Sequence, residues 1–109
     1  MSTQAGISSI AVAALFLVAG SFGSAAAATH TITIDAMAYS PATLHVKRGD
    51  TVVWVNKDPF PHTSTSKVGG FDSQTIAAGK SWTLTAAKKG TFAYTCTFHP
   101  TMKGTLRVN

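Results

Sequence analysis

Cys96, His99 and Met102 stand three residues apart each in the run Cys96-Thr97-Phe98-His99-Pro100-Thr101-Met102, and Cys96 is the only cysteine of the chain. His62, in Pro59-Phe60-Pro61-His62, completes a set of two imidazoles, one thiolate and one thioether. Thiolate and thioether are soft donors that hold Cu(I), and imidazole suits Cu(II). A trigonal His2Cys plane with a weak axial Met is the arrangement that lets a copper ion pass electrons. Four protein ligands leave no open position for a substrate, which separates such a site from a catalytic metal centre. The residues therefore point to a copper site formed by His62, Cys96, His99 and Met102 that moves electrons and is not an enzyme.

Other chemistries fit less well. A lone cysteine by itself reads as a small buried hydrophobe, but His and Met at +3 and +6 turn that reading toward a ligand. Zinc would accept Cys96, His62 and His99, yet thioether sulfur is a poor zinc ligand. An oxidase would need a multinuclear cluster beside this centre, and four histidines cannot supply both. Copper delivery or storage is the alternative, because a carrier in transit can use the same donors. Reversible cycling with retained metal separates an electron carrier from a shuttle.

The chain has 109 residues, enough for one domain. Ile7 to Gly23 is apolar and uncharged, and Ala25-Ala26-Ala27 fits the small-x-small cleavage rule, so residues 1–27 read as a signal peptide and 28–109 as the domain. The expected location is periplasmic or otherwise extracytoplasmic. A span of about 17 residues lies at the short limit for crossing a bilayer, so the alternative is an uncleaved anchor with the domain facing outward. On either route a single cysteine has no intrachain partner and stands as a liability or a ligand. Cleavage after Ala27 would begin the mature chain Ala28-Thr29-His30, whose amine, amides and imidazole could chelate a further Cu(II).

All nine Lys and Arg and all four acidic residues lie at or beyond Asp35, so the net charge of +5 belongs to the domain and would attract acidic partners or anionic surfaces. The cations occur singly or in pairs, Lys47-Arg48 and Lys88-Lys89, without a basic helix or a basic motif interleaved with aromatics. That argues against nucleic acid.

The elements that must position the ligands read as strands. Ile32 and Ile34 alternate inward, Thr51 to Asn56 is apolar enough to be covered on both faces, and Trp82, Leu84 and Ala86 share one face. Phe92, Tyr94 and Cys96 share another by period two. Leu106 and Val108 point inward at the end, and His45 alternates with Leu44 and Val46 toward solvent. Six or seven short strands with even turn signals predict an all-β, antiparallel Greek-key sandwich with Cys96 at one end beneath the loops.

From about Ile32 to Val108 the chain resembles a cupredoxin, a type 1 blue-copper protein, closest to the amicyanin-like/plastocyanin-like branch. The resemblance is carried by Leu44-His45-Val46-Lys47, Gly49-Asp50-Thr51-Val52, Trp54-Val55-Asn56, Pro61-His62, Gly90-Thr91-Phe92, and Tyr94 through Gly104. The two-residue intervals on either side of His99 resemble amicyanin. The resemblance implies one type 1 copper on His62, Cys96, His99 and Met102, and Asn56 tying the two ligand loops together through Thr97. Thr63 stands where the family usually has Asn. Its N–H is expected to keep donating to the thiolate, and its side chain is expected to lose the supporting role. Phe98 replaces a common proline, leaving an amide free to approach the sulfur. His99, flanked by Phe98, Pro100 and Thr101 and near Pro59, Phe60 and Pro61, is expected to form an apolar patch with a basic rim. A monomer would dock transient, acidic redox partners there.

Overall fold

The structure, a computed structural model, describes residues Ala26–Asn109. The expected signal segment 1–27 falls outside the described residues except for its last two positions. Among the described residues no helix is long and apolar enough to cross a membrane.

Among the described residues nine strands form two packed sheets. In one, β1 (Thr29–Asp35), β2 (Ala38–Ser40), β4 (Thr51–Asn56) and β7 (Ser81–Thr85) lie in the order β2-β1-β4-β7. In the other, β3 (Thr43–Val46), β5 (Thr65–Ser66), β6 (Phe71–Asp72), β8 (Gly90–Cys96) and β9 (His99–Val108) lie in the order β3-β9-β8-β5-β6. The sandwich is the expected one, with more strands and a mixed pairing pattern. β2, β5 and β6 are two or three residues long, too short to show a period in sequence. β1 runs parallel to β4, and β3 parallel to β9. The cause is a sheet switch: after the β1–β2 hairpin the chain bends at Ser40-Pro41-Ala42 into the second sheet, continues in the same direction as β3, and returns as β4.

Alternation of apolar residues fills the space between the sheets. Ile32, Ile34, Val52, Trp54, Tyr94 and Leu106 are almost wholly buried. Trp54 meets Tyr94 edge to face with ring centroids 5.5 Å apart, and the Trp82 ring lies 5.4 Å from that of Trp54, an arrangement that adds to simple area burial. Half-buried Thr51, Val53 and Val55 confirm that β4 is covered on both faces. His45 is exposed, as its place in the alternation required. Gly104 faces Tyr94 across the β8–β9 ladder, and a Cβ there would overlap the phenol ring. Gly104→Ala should therefore destabilise the fold by about 1–3 kcal/mol through overpacking. A urea midpoint equal to that of the parent would refute this.

Two buried carboxylates fix turns at opposite ends of the sandwich. In the β1–β2 turn Ala36 and Met37 both adopt positive φ, 51° and 62°, which residues bearing a Cβ rarely do. Asp58 accepts both of their N–H groups, at 2.7 and 2.9 Å. At the other end Asp50 accepts the N–H of Ala28 (3.0 Å), that of Lys47 (3.0 Å) and the His30 imidazole (2.9 Å). The bond from His30, then those from the Lys47 and Ala28 amides, lower the Asp50 carboxyl to about 2. Such a group stabilises the fold while ionised, so its contribution is full above about pH 4 and fades as pH falls through about 2. Asp50→Asn should lower the thermal midpoint at neutral pH, with the gap from the parent closing between about pH 4 and about pH 2. A gap independent of pH would show that the charge plays no part. The same contacts engage the Ala28 nitrogen and the His30 imidazole with Asp50, and a Cu(II) chelate at Ala28-Thr29-His30 would have to displace them.

Candidate metal centre

β4 ends at Asn56 and leads into a loop, 57–62, that carries His62. The Asn56 side chain shapes this loop: its Nδ2 donates to the carbonyls of Phe60 (2.8 Å) and Ile76 (2.9 Å), and its Oδ1 accepts the Asp58 N–H (3.0 Å). His62 then exchanges backbone bonds with Ile76 in both directions, which leaves its ring fully buried at one pole of the sandwich.

β8 delivers Cys96 to the same pole. Phe92, Tyr94 and Cys96 all point inward, and the Cys96 thiol is free and buried. After the turn at Thr97-Phe98 the chain enters β9 at once, with His99 opposite Cys96. The ladder pairs Thr95 with Lys103 but Cys96 with His99, so residues 100–102 are extra on β9 and form a bulge. Met102 lies on this bulged start of β9, buried beside the other three.

The sulfur of Cys96 lies 3.7 Å from His62 Nδ1 and 3.8 Å from His99 Nδ1. All three donor atoms fall within 4.8 Å of one another. Ligand bonds of about 2.3 Å to sulfur and about 2.0 Å to nitrogen at trigonal angles separate sulfur from nitrogen by about 3.7 Å. The spacing of the two imidazoles from the thiol thus fits a metal held among the three, and the donor types fit copper.

Two further residues hold this set in place, and only the second of them was singled out by sequence. Asp58 Oδ2 accepts from His62 Nε2 at 2.8 Å inside the fold. The bond turns the Nδ1 lone pair toward Cys96 and fixes the tautomer, as a carboxylate behind a metal-bound histidine does. Burial raises the Asp58 carboxyl. The Met37 amide, the His62 imidazole and the Ala36 amide outweigh it and hold the group below its ordinary value. The signal in sequence was an acidic residue four positions before His62 in a proline-stiffened loop.

Thr63 is the second. Its N–H donates to the Cys96 sulfur at 3.3 Å, as expected. Its side chain also holds a role that sequence assigned elsewhere: Thr63 Oγ1 accepts the Thr97 N–H at 2.9 Å and lies 3.3 Å from Thr97 Oγ1. The two ligand loops are tied through Thr63 and Thr97, not through Asn56 and Thr97. Asn56 has both ends of its amide engaged within its own loop and with Ile76, and a hydroxyl at position 63 reaches Thr97 directly. Tyr39, buried on β2, donates to the Thr63 carbonyl and completes the support.

His99 is half-buried, with Phe98 on the same turn and Phe60 on the neighbouring loop both exposed. A buried thiol between two imidazoles, closed over by a tight turn at one end of a two-sheet sandwich, defines a small protein built around a single copper-type centre.

Comparison with known proteins agrees with that class. The cupredoxin-like domain family matches residues 8–108. Amicyanin of Paracoccus denitrificans is 36% identical over 91 residues, covering 76% of this chain and 69% of that protein. Among solved structures, an oxidized mutant of amicyanin superposes with a TM-score of 0.69 at 33% identity, over 74% of this chain and 82% of that one. A copper-containing nitrite reductase from Thermus scotoductus reaches a TM-score of 0.70 at 29% identity, but the match covers only 22% of that larger chain. The chain belongs to the cupredoxin-like domain family.

Proposed function

We propose that this chain is a small blue-copper electron carrier, in which His62, Cys96, His99 and Met102 would hold the copper. The observation that carries the reading is the buried Cys96 sulfur with both Nδ1 atoms 3.7 and 3.8 Å from it. Copper there supplies a one-electron Cu(II)/Cu(I) couple. The chain's own part is to hold the donors still. Asp58 orients His62, Thr63 donates to the thiolate, and the Thr63–Thr97 bond keeps the two loops at one separation, so that little must move when the charge on the site changes. The likeness to amicyanin supports a carrier and not an enzyme, and the nitrite reductase match covers too little of that protein to carry its activity.

Electrons enter and leave through the half-buried edge of His99. Exposed Phe60 and Phe98 flank it, and their apolar surface permits close, brief contact with a redox partner. The sequence of residues 1–27 supports export, which places the domain outside the cytoplasm.

A visible absorption and electron paramagnetic resonance titration with Cu(II), repeated after ascorbate reduction, tests the reading. An intense thiolate-to-copper band with narrow hyperfine splitting, bleached and restored reversibly, is the expected result. Pale absorption, or copper lost on reduction, would favour delivery or storage.

A further inference from the structure

The positive charge of the domain is gathered at the pole opposite the metal centre. β1 and β4 start together at that pole, with Thr29 beside Thr51, and run side by side until Ile34 meets Asn56 near the centre. β8 starts there and β9 ends there, with Gly90 beside Val108. Backbone bonds knit this base: Arg48 N–H to the Asn109 carbonyl, Gly49 N–H to the Ala86 carbonyl, Thr51 N–H to the Ala28 carbonyl, and Asn109 N–H to the Val46 carbonyl. Lys47 and Arg48 stand in its first turn, Lys88 and Lys89 lie between Ala86 and Gly90, and Arg107 is one residue before Val108. All five are exposed. Five of the nine cations thus share the base with one acidic residue, Asp50, which already accepts three hydrogen bonds. The four remaining cations are set against three acidic residues elsewhere.

The described chain also begins at the base. Ala26, Ala27 and Ala28 line a depression of about 440 Å³ there, together with His30, His45, Lys47, Arg48 and Asn109. Twenty-five further residues precede Ala26 in the sequence, and they include the uncharged apolar run Ile7 to Gly23.

We infer that this base is a docking surface for an anionic lipid membrane, seating the domain with its metal centre pointing away from the bilayer. Basic residues beside a membrane-directed segment are attracted to acidic headgroups within a Debye length of the surface. Here exposed Lys47 and Arg48 line the depression beside Ala26, the first described residue, and exposed Lys88 and Lys89 stand on another turn of the same base. β4 alone separates the base from the centre by six residues, about 20 Å at strand rise. A membrane on the base would leave Phe60, Phe98 and His99 free for a redox partner. The charge that attracts the lipid would then not compete with the apolar face that exchanges electrons.

Co-flotation of the full chain with vesicles tests this, comparing phosphatidylcholine alone with phosphatidylcholine containing one part in three phosphatidylglycerol (about 30%, to give the surface potential acidic lipid produces). The leader is present in every variant, so differences between variants report the base. Binding should rise on the acidic vesicles and fall as salt is added. Replacing Lys47, Arg48, Lys88 and Lys89 together by Gln should remove the rise, with affinity for acidic vesicles falling about a thousandfold at low salt. Replacing Lys57, Lys67, Lys80 and Lys103 by Gln removes the same net charge and should retain most of it. Circular dichroism of both variants shows whether either has lost its fold, and single-turn variants, Lys47→Gln with Arg48→Gln or Lys88→Gln with Lys89→Gln, then give half-sized effects. Equal losses in the two fourfold variants would overturn the proposal, since net charge alone would suffice. Absence of any rise on acidic vesicles, with base-dependent binding to polyglutamate, would overturn it in favour of an acidic protein partner. None of these readouts uses copper, so their failure would leave the electron-carrier reading untouched.

Discussion

Cys96→Ser should bind copper far more weakly than the parent and show no intense thiolate-to-copper absorption. The substitution removes the one soft anionic donor and leaves two imidazoles and a thioether, a set that holds Cu(II) without the sulfur bond from which the colour arises. Loss of a group that merely orients a ligand costs about 10–100-fold in affinity, and loss of the thiolate itself should exceed that. The apo fold should change little. Serine is slightly smaller than cysteine, and its oxygen can still accept the Thr63 N–H that now points at the sulfur, so the net penalty should be about 1 kcal/mol. Pairing the copper titration with urea unfolding of the metal-free proteins separates the two effects. Blue absorption of parental intensity in Cys96→Ser would mean that the colour comes from another site. Met102→Leu provides the contrast: the band should persist while the reduction potential moves, because a weak axial donor tunes the couple and the sulfur in the plane generates the band.

The parts of this protein that sequence disclosed are those set by local chemistry or by a period. Residue type and three-residue spacing named His62, Cys96, His99 and Met102, and all four prove to be buried or half-buried at one pole. Period two found the inward faces of β1, β7 and β8, because a half-covered strand must alternate. Sequence fell short where geometry depends on residues distant in the chain. The parallel pairing of β1 with β4 follows from a sheet switch between them, and nothing local to either strand announces it. Only Leu106 and Val108 at the end of β9 were legible, yet the strand starts at His99, because the bulge at residues 100–102 hides the alternation.

The support of the ligands was the least legible part. Asn56 was assigned the link to Thr97 by resemblance alone, whereas Thr63 makes it. A hydroxyl and an amide can each bridge two loops, and which one does so depends on distances set by the whole sandwich. Sequence left two amides free to approach the sulfur, that of Thr63 and, because the residue is not proline, that of Phe98. The amide that reaches the sulfur is that of Thr63, on the opposite loop. The charge pattern was similarly concealed: Lys47-Arg48 and Lys88-Lys89 lie forty residues apart in sequence and share one end only because β4, β7 and β8 each span the full height of the fold.

Asp58→Ala should produce the largest loss of stability of any single substitution outside the apolar core, and should weaken copper binding as well. Three donors converge on this carboxylate: the amides of Ala36 and Met37, and His62 Nε2. Removing it strands all three where water enters poorly, and breaking one side of a buried charged contact costs about 3–5 kcal/mol. For a domain of this size each kcal/mol moves the thermal midpoint by about 4–8 °C, so the metal-free variant should melt at least about 12 °C below the parent. Two consequences should follow together from the one carboxylate. The Ala36-Met37 turn loses the partner that holds its positive φ angles, and His62 loses the partner that fixes its ring. Copper affinity should fall about 10–100-fold beyond what the unfolding equilibrium explains. Asp58→Asn separates the two, because a neutral amide has one acceptor oxygen in place of two. Its oxygen can serve either Ala36 or the pair Met37 and His62, so its stability should lie between parent and alanine variant. Because the Asp58 carboxyl is held below its ordinary value, its contribution is present at neutral pH and lost on acidification. The metal-free parent should therefore lose its advantage over Asp58→Asn as the pH is lowered. An Asp58→Ala protein that melts with the parent and binds copper as tightly would show that the ring of His62 is held by its burial and its backbone pairing with Ile76 alone.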